Sequence, residues 1–350
     1  MRALTVVPKT TGSAEVIDIA EPPLSDGPVL VETVSVGVCG TDHEIISGDY
    51  GWAPDGHDRL VLGHESIGRV REAPSGSGFS AGDLVVGIVR RPDPVPCYSC
   101  AAGEWDECRN GRYIEHGIKQ VDGFARERYR VPADALVKVD DALGRLGVLL
   151  EPTTIVAKAW EQAEAIGNRV TWKRRTALIV GAGPIGLLAA LLGVQRGMEV
   201  HVLDQVTSGA KPELTAALGA HYHTGSLADA LEAPDVIIEC TGVPALIAEA
   251  MGALGTGGVL CLTGVSPVGH ETSLDLGASA RAAVLGNKAI FGSVNANCRH
   301  YLAGAEALAK ADRDWLGGLV SRRVPLEHFA DALAHRDDDV KVVLDVAEDA

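Results

Sequence analysis

One stretch decides the fold of the second half of the chain: TALIVGAGPIGLLAALLGVQRG, residues 176–197. Its first five residues predict a buried strand, a glycine-rich turn follows, and the apolar run after Pro184 predicts a helix that ends at Gly197. Further strand-like runs, such as EVHVLD and DVIIECTG, alternate with helix-like runs such as KPELTAALG. This alternation predicts a parallel sheet with crossover helices.

The turn in this stretch has the spacing of a dinucleotide-binding loop. Gly181, Gly183 and Gly186 stand in G-x-G-x-x-G order, with Pro184 and Ile185 between the last two glycines. The first glycine permits a tight turn, the second lets the backbone approach a pyrophosphate, and the third allows close strand–helix packing. We therefore predict a cofactor site at this helix N-terminus, with an ordinary strand–helix turn as the alternative.

Asp204 ends the next strand-like run, 18 residues beyond Gly186. A carboxylate at this place accepts hydrogen bonds from the ribose hydroxyls and repels a 2′-phosphate. Gln205 and Val206 follow it, so no arginine stands ready for such a phosphate. The pattern favours NAD over NADP, although Lys211 is close in sequence and Asp204 could be only a loop acid.

The first 150 residues read as short strands separated by turns, which predicts a small all-β unit with irregular insertions. The strand-like runs are VLVETVSVGV (29–38), LVLGHESIGRV (60–70) and DLVVGIV (83–89). The run KAIFGSV (288–294) is the last strand of the alternating region, and the residues after it lack the alternation. We predict one domain of residues 1–155 and 295–350, and a second of residues 156–294.

Four potential metal ligands stand in apolar surroundings: Cys39, His64, Glu65 and Glu151. Zinc binds Cys, His and carboxylate groups, and a catalytic zinc keeps one position open. Each residue alone has an ordinary interpretation, as a core thiol, a hydrogen-bonded imidazole or a loop acid. Together they predict a catalytic zinc site, in which Asp42 is expected to hold a metal-bound imidazole or else to cap the following helix.

The sequence resembles the zinc-dependent medium-chain dehydrogenase/reductase family over almost its whole length, through GVCGTDH, GHE, GAGPIG and LEP. Within that family, RRPDPVPC, GRYIEHGI, DGF and GNKAIFGSVNAN look most like the glucose dehydrogenases. The resemblance implies an α/β protein with a GroES-like β-barrel catalytic domain, a Rossmann domain with a doubly wound parallel sheet, and a catalytic zinc in the cleft between them. It assigns Cys39, His64, Glu65 and Glu151 to the surroundings of that zinc, without requiring that all four bind it at once.

A second zinc is suggested by three clustered cysteines, Cys97, Cys100 and Cys108, which match three of the four cysteines of the family's structural lobe. Upstream, only Asp93 could replace the fourth. Three thiolates and one carboxylate form an acceptable closed site. The alternative is a metal-free loop with reduced thiols, and we expect Cys240 and Cys261 to be buried thiols.

The resemblance implies oxidation of an aldose, with D-glucose favoured, at C1 to the lactone, and hydride transfer to NAD(P). Thr41 is then expected to hydrogen-bond the reacting hydroxyl, and Glu151 to act as a base. Glu115 and Asn295 are expected to contact the sugar, each having a surface polar residue as its alternative. At positions where some relatives have a sugar-binding Asn and His, this chain has Val89 and Leu285, which could change the substrate.

Composition limits the partners. The net charge is −16 and no basic block occurs, which argues against nucleic acid and anionic membranes. No apolar leader is recognised at the start, so we expect a cytoplasmic protein, and KAIFGSV (288–294) suits edge pairing in a homodimer or homotetramer. We expect HYH (221–223) to be solvated surface. Alternatives for the function are a polyol or amino-alcohol dehydrogenase, a zinc-free quinone reductase and a silent NAD-binding protein.

Overall fold

The computed structural model describes residues 1–171, 173, 175–266, 269, 272–334 and 336–347. The chain forms two compact units: the first contains Met1–Glu151 and Asn295–Ala350, and the second contains Pro152–Val294. The division therefore falls after residue 151, where the sequence suggested residue 155. A helix begins at Leu150 and continues to Gly167, so the division lies in its first turn.

The strands and helices of the described residues follow the chain in this order. The strands are β1 (Arg2–Val6), β2 (Glu15–Asp18), β3 (Val29–Val38), β4 (Leu60–Val61), β5 (Glu65–Glu72), β6 (Leu84–Gly87), β7 (Arg90–Arg91), β8 (Ile114–His116), β9 (Gln120–Val121), β10 (Arg128–Val131), β11 (Leu136–Lys138), β12 (Thr176–Val180), β13 (Glu199–Leu203), β14 (His221–His223), β15 (Val236–Glu239), β16 (Val259–Leu262), β17 (Ala289–Gly292), β18 (Val320–Pro325) and β19 (Lys341–Asp345). The α-helices are α1 (Gly40–Ser47), α2 (Tyr98–Ala101), α3 (Leu150–Gly167), α4 (Pro184–Gln195), α5 (Ala210–Ala217), α6 (Leu227–Ala230), α7 (Pro244–Ala253), α8 (Leu276–Gly286), α9 (Cys298–Lys310), α10 (Arg313–Leu319) and α11 (Phe329–Leu333).

The first unit is built from mainly antiparallel sheets around the long strand β3, with parallel pairs at β18–β19 and β8–β9. The largest sheet has the order β11-β6-β5-β3-β19-β18, and β10 also pairs with β3. Two smaller sheets have the orders β2-β1-β4 and β7-β8-β9. The core is aliphatic, with Phe124 and Tyr129 as its large aromatic side chains. This arrangement places the end of β3 beside the start of β5, where the predicted metal ligands lie.

The second unit is a six-stranded parallel sheet in the described residues, with the order β14-β13-β12-β15-β16-β17. Counted from β12, this is the doubly wound order 3-2-1-4-5-6. The order reverses between β12 and β15, and the glycine turn directly follows β12. Ligands of such sheets bind beyond the carboxyl ends of the strands at this reversal. The predicted α/β fold class is confirmed.

Three details differ from the sequence expectations. The run 60–70 is not one strand, because Gly63 has φ +87 and separates β4 from β5, so His64 lies in a break between the two strands. The HYH segment, expected to be solvated surface, is strand β14, in which His221 is exposed and the other two residues are half-buried. Cys261 is buried as expected, whereas Cys240 is half-buried. No helix among the described residues is both long and apolar enough to cross a bilayer.

Candidate active site and cofactor site

The backbone around β3 and β5 positions a thiol, an imidazole and a carboxylate together. Strand β3 ends at Val38, and Cys39 is the N-cap residue of α1. On the neighbouring strand, Glu65 is the register partner of Gly37, two residues before Cys39. The break after Gly63 turns His64 out of the strand, so its side chain does not follow the alternation of β5.

The ligand atoms of Cys39, His64 and Glu65 all lie within 4.8 Å of one another. Cys39 Sγ is 3.0 Å from His64 Nε2. Behind the imidazole, Asp42 Oδ1 lies 3.5 Å from His64 Nδ1, and Asp42 Oδ2 accepts a hydrogen bond of 3.0 Å from the Cys39 N–H. Asp42 thus both caps α1 and orients His64, so the two roles weighed for it are compatible.

Lys341 is the buried cation that the sequence interpretation missed. Its ammonium pairs with Glu65 Oε2 and also donates to the Val38 carbonyl at 3.0 Å. Gly37 leaves the room for this pair, because a Cβ at that residue would overlap the Glu65 carboxylate. The sequence feature that could have identified this residue is a lysine at the start of the apolar run KVVLDV (341–346). This run contains strand β19, which pairs with β3 at Val38.

The electrostatics of this group favour a cation. Burial alone would lower the pKa of His64, but the nearby Cys39 and Asp42 outweigh it and raise that pKa well above its ordinary value. Burial likewise opposes the charge of Lys341, yet Glu65 and Cys39 raise its pKa. A thiolate, an imidazole nitrogen and a carboxylate oxygen are the donor atoms that zinc prefers. The residues present therefore fit a zinc ion.

Glu151 lies in the first turn of α3 and is buried. Burial, together with the charges of Glu65 and Asp42, raises its pKa to about 7 against the opposing effect of His64 and Lys341. Its carboxylate is not one of the three mutually close ligand groups among the described residues. The structure thus brings three of the four predicted ligands together and places Glu151 within their electrostatic influence.

Thr41 follows Cys39 by two residues in the first turn of α1 and is half-buried. That it hydrogen-bonds the reacting hydroxyl stays a prediction. His43, the next residue but one, is exposed.

The two predicted sugar-binding residues lie in direct contact. Asn295 Nδ2 donates to Glu115 Oε1 at 2.7 Å. Arg90 donates to the same oxygen at 3.0 Å through Nε, and its guanidinium lies 3.7 Å from the ring centroid of Tyr113. Asn295 has φ +61, and its Oδ1 accepts from the Ala296 N–H, so its amide is held in one orientation. Glu115 is buried; Arg90 was not anticipated from the sequence.

The two positions at which the chain departs from some relatives differ in environment. Val89 is buried in the core of the first unit, and its N–H donates to the Tyr301 hydroxyl at 3.1 Å. Leu285 lies on α8 of the second unit and is 66% exposed.

The three cysteines of the predicted lobe lie together, but Asp93, the candidate fourth ligand, does not lie among them. The thiols of Cys97, Cys100 and Cys108 lie within 4.8 Å of one another. Backbone N–H groups of Arg109 and Cys100 lower the pKa of Cys97 to about 6. The Asp93 carboxylate is not brought into this group; it is instead engaged by surrounding donors, which are the Val95 N–H, the Asn110 amide and the Arg112 guanidinium.

The glycine turn has the geometry its spacing predicted. Gly181 has φ +98, a conformation that side chains rarely adopt, and a Cβ on Gly186 would overlap the Gly181 carbonyl. At Gly183 a Cβ would meet no protein atom within 4 Å, so the backbone there is open to a ligand. Pro184 is the first residue of α4, followed by Ile185, and the N-terminus of this helix points its N–H groups toward the same turn.

Asp204 lies just beyond β13 and touches the glycine turn. Its Oδ2 accepts from the Ala182 N–H at 2.7 Å and lies 3.4 Å from Lys211 Nζ, while Oδ1 accepts from the Val206 N–H at 3.1 Å. The side chain is therefore fixed beside the turn. Lys211, identified from the sequence only as a neighbour, is its ion-pair partner.

Two family models match the chain. The alcohol dehydrogenase GroES-like domain matches residues 25–141, and the glucose dehydrogenase C-terminus matches residues 144–346. With the mainly antiparallel first unit, the Rossmann sheet and the thiol–imidazole–carboxylate group, these matches define a dehydrogenase of the zinc-dependent type. The chain belongs to the zinc-dependent medium-chain dehydrogenase/reductase family, within the group that resembles the glucose dehydrogenases.

Individual relatives agree over the full length. A glucose 1-dehydrogenase of Thermoproteus tenax is 40% identical over 354 residues, and one of Methanocella arvoryzae is 38% identical over 357 residues; each match covers 99% of both chains. Among solved structures, the glucose dehydrogenase of Haloferax mediterranei in complex with NADP, Zn and gluconolactone has a TM-score of 0.91 and 33% identity, with 99% of each chain covered.

Proposed function

We propose that this protein oxidises an aldose, with D-glucose as the first choice, at C1 to the lactone and transfers the hydride to NAD(P). The observation that carries the proposal is the buried group of Cys39, His64 and Glu65, with Glu151 beside it. A silent NAD-binding protein or a zinc-free reductase would have no need of these donors. The resemblance to glucose 1-dehydrogenases and to a relative crystallised with gluconolactone supports the choice of sugar.

Cys39 and His64 would hold the catalytic zinc, with Glu65 or Glu151 as the carboxylate. When bound, zinc would act as a Lewis acid that lowers the pKa of the C1 hydroxyl. Thr41 would accept a hydrogen bond from the C1 hydroxyl and relay its proton. Glu151 is suited to receive it, because its pKa of about 7 lets a carboxylate act as a base near neutral pH.

The reaction balances with these groups. The C1–H bond breaks and its electron pair leaves with the hydrogen as hydride to the nicotinamide. The C1–O bond becomes a carbonyl, and the hydroxyl proton leaves through Thr41 to Glu151. Glu115 and Asn295 would bind ring hydroxyls, because a carboxylate accepts while an amide both donates and accepts. Arg90 neutralises part of the Glu115 charge and holds it in place.

For the cofactor, NAD is proposed over NADP because Asp204 stands at the place of the ribose-binding acid. Lys211 weakens this preference, since its ammonium could turn from Asp204 to a 2′-phosphate. For the cysteine lobe, we propose a structural zinc held by Cys97, Cys100 and Cys108. Asp93 contributes to that lobe through its contacts with Asn110 and Arg112 rather than as a ligand.

A homodimer or homotetramer is proposed through the edge strand β17. This strand has one neighbour, β16, in the described sheet, so its other edge offers unpaired backbone groups. Ile290 on the strand is 37% exposed and Val294 just beyond it is 60% exposed. Antiparallel pairing of two copies of β17 across a two-fold axis would cover both. We further propose that the protein acts in the cytoplasm.

The experiment is an initial-rate measurement with β-D-glucose and either NAD or NADP on zinc-containing protein. We expect reduced cofactor to form with both, faster with NAD, and gluconolactone to be trapped by hydroxylamine. Cys39→Ser should abolish the rate, whereas Cys298→Ser, a half-buried thiol outside both cysteine groups, should not. Rates with sorbitol or another polyol that exceed those with glucose would replace the aldose by an open-chain alcohol as the substrate.

A further inference from the structure

One face of the second unit's sheet carries a cluster of histidines that the proposed reaction does not use. In β13, Glu199 and His201 point to the same face because they are two residues apart. His201 is the register partner of His221 in the parallel strand β14, and Leu203 is the partner of His223. Four side chains, Glu199, His201, His221 and His223, therefore share one face at the free edge of the sheet.

The polar atoms of this cluster converge. His201 Nε2 lies 3.4 Å from Glu199 Oε1, and His221 Nε2 lies 4.0 Å from the same oxygen. One ligand atom from each of these three residues lies within 4.8 Å of the others. Ligands on a tetrahedral zinc with bonds of about 2.0–2.1 Å stand roughly 3.4 Å apart. To bind zinc, the nitrogen of His221 and the oxygen of Glu199 must move slightly closer together. They have room to do so, because the two side chains are each 58% exposed.

His223 fixes the orientation of the central imidazole. His201 Nδ1 and His223 Nε2 are 2.8 Å apart, and the two rings stack with centroids 5.0 Å apart and planes at 10°. One of the two nitrogens must donate to the other. When His201 Nδ1–H is the donor, His201 Nε2 directs its lone pair toward Glu199 Oε1, and this is the tautomer that can bind a cation between the two atoms. A hydrogen bond from the second nitrogen of a ligating histidine is the usual support of a metal site.

We propose that Glu199, His201 and His221 form a binding site for a divalent transition ion, with His223 positioning the His201 ring. Two imidazoles and one carboxylate suit borderline ions such as Zn²⁺, Ni²⁺ and Cu²⁺ rather than Mg²⁺ or Ca²⁺. The ion would join the short edge strand β14 to β13. The site is distinct from the Cys39 and Cys97 groups, because it belongs to the second unit and contains no thiol.

The test uses the whole protein with its thiolate sites loaded with zinc, desalted to remove weakly held zinc and then titrated with NiCl₂ by calorimetry. We expect one Ni²⁺ per chain to bind with no loss of the tightly held zinc, which is counted by mass spectrometry after desalting. His221→Ala should weaken Ni²⁺ binding at least about tenfold. His328→Ala removes another exposed histidine, and binding should be unchanged. Mg²⁺ should give no heat.

The positioning role of His223 has its own readout. His223→Gln keeps an acceptor for the His201 Nδ1–H, and should retain most of the Ni²⁺ affinity, whereas His223→Phe should lose about tenfold. The site does not exist if wild-type protein binds no Ni²⁺, if Ni²⁺ enters only by releasing zinc, or if His221→Ala binds as tightly as wild type. Melting curves of each variant without added nickel establish that the fold is intact.

Discussion

Glu115 Oε1 accepts hydrogen bonds from both Arg90 and Asn295, which are separated from Glu115 by 25 and 180 positions in the chain. Glu115→Gln removes the negative charge and leaves the Arg90 guanidinium without its carboxylate partner. We expect kcat/KM for glucose to fall about 100-fold, mostly through KM, with little change in cofactor affinity. Steady-state kinetics check this, with the exposed Glu232→Gln as control. Unchanged kinetics would remove Glu115 from the sugar site.

Cofactor choice depends on the pairing of Asp204 with Lys211. Asp204→Asn keeps a hydrogen-bond acceptor but removes the charge that repels a 2′-phosphate, and it frees the lysine. The NADP/NAD ratio of kcat/KM should therefore rise about tenfold. Adding Lys211→Met to this variant should reverse most of the gain. If the ratio does not move in either variant, another residue selects the cofactor.

The buried pair of Lys341 and Glu65 supplies a stability prediction. Lys341→Met leaves the Glu65 carboxylate buried without its cation, and we expect a loss of about 3–5 kcal/mol in the free energy of unfolding. In the same background, Glu65→Gln should restore part of that loss, because the uncompensated charge is gone. Urea unfolding of the single and double variants measures the coupling. Additive losses would show that the pair does not interact.

His116 makes stability depend on pH. Burial, with the charges of Arg126 and Arg91, lowers its pKa to about 4 despite the hydrogen bond to the Asp122 carbonyl. The unfolded chain therefore binds more protons between pH 6.5 and 4, and stability falls as the pH falls through this range. The full effect is at most about 3 kcal/mol. Urea unfolding at pH 7 and pH 5 should show a smaller difference in His116→Gln than in the wild type.

The strand β17 gives a prediction about assembly. Ile290→Lys places a charge on the edge that is proposed to pair with a second copy, and we expect it to convert the oligomer to smaller species. Leu302→Lys alters an exposed apolar residue elsewhere, 57% exposed on α9, and should leave the mass unchanged. Light scattering after size exclusion measures both. A wild-type protein that is monomeric at all concentrations would contradict the proposal.

Patterns of residue spacing made the Rossmann sheet, the glycine turn and the cysteine lobe predictable, because each depends on a local conformation such as the positive φ of Gly181. The grouping of Cys39, His64 and Glu65 was also predictable, from residue type and apolar context. What could not be predicted were partners from distant segments. Lys341, Arg90 and the His201–His223 contact depend on strand register, which single-sequence patterns do not specify.

The pairing of β19 with β3 also affects the order in which the two units can fold during synthesis on the ribosome. Cys39, His64 and Glu65 are among the earliest residues made, yet the cation that balances Glu65 is residue 341, on a strand inserted beside β3. Residues 152–294, which form a compact unit, are translated in the interval. The second unit can therefore fold while the first still lacks β18 and β19. Until residue 341 emerges, Glu65 lacks its ammonium partner, so closure of the first unit is a late, non-local event.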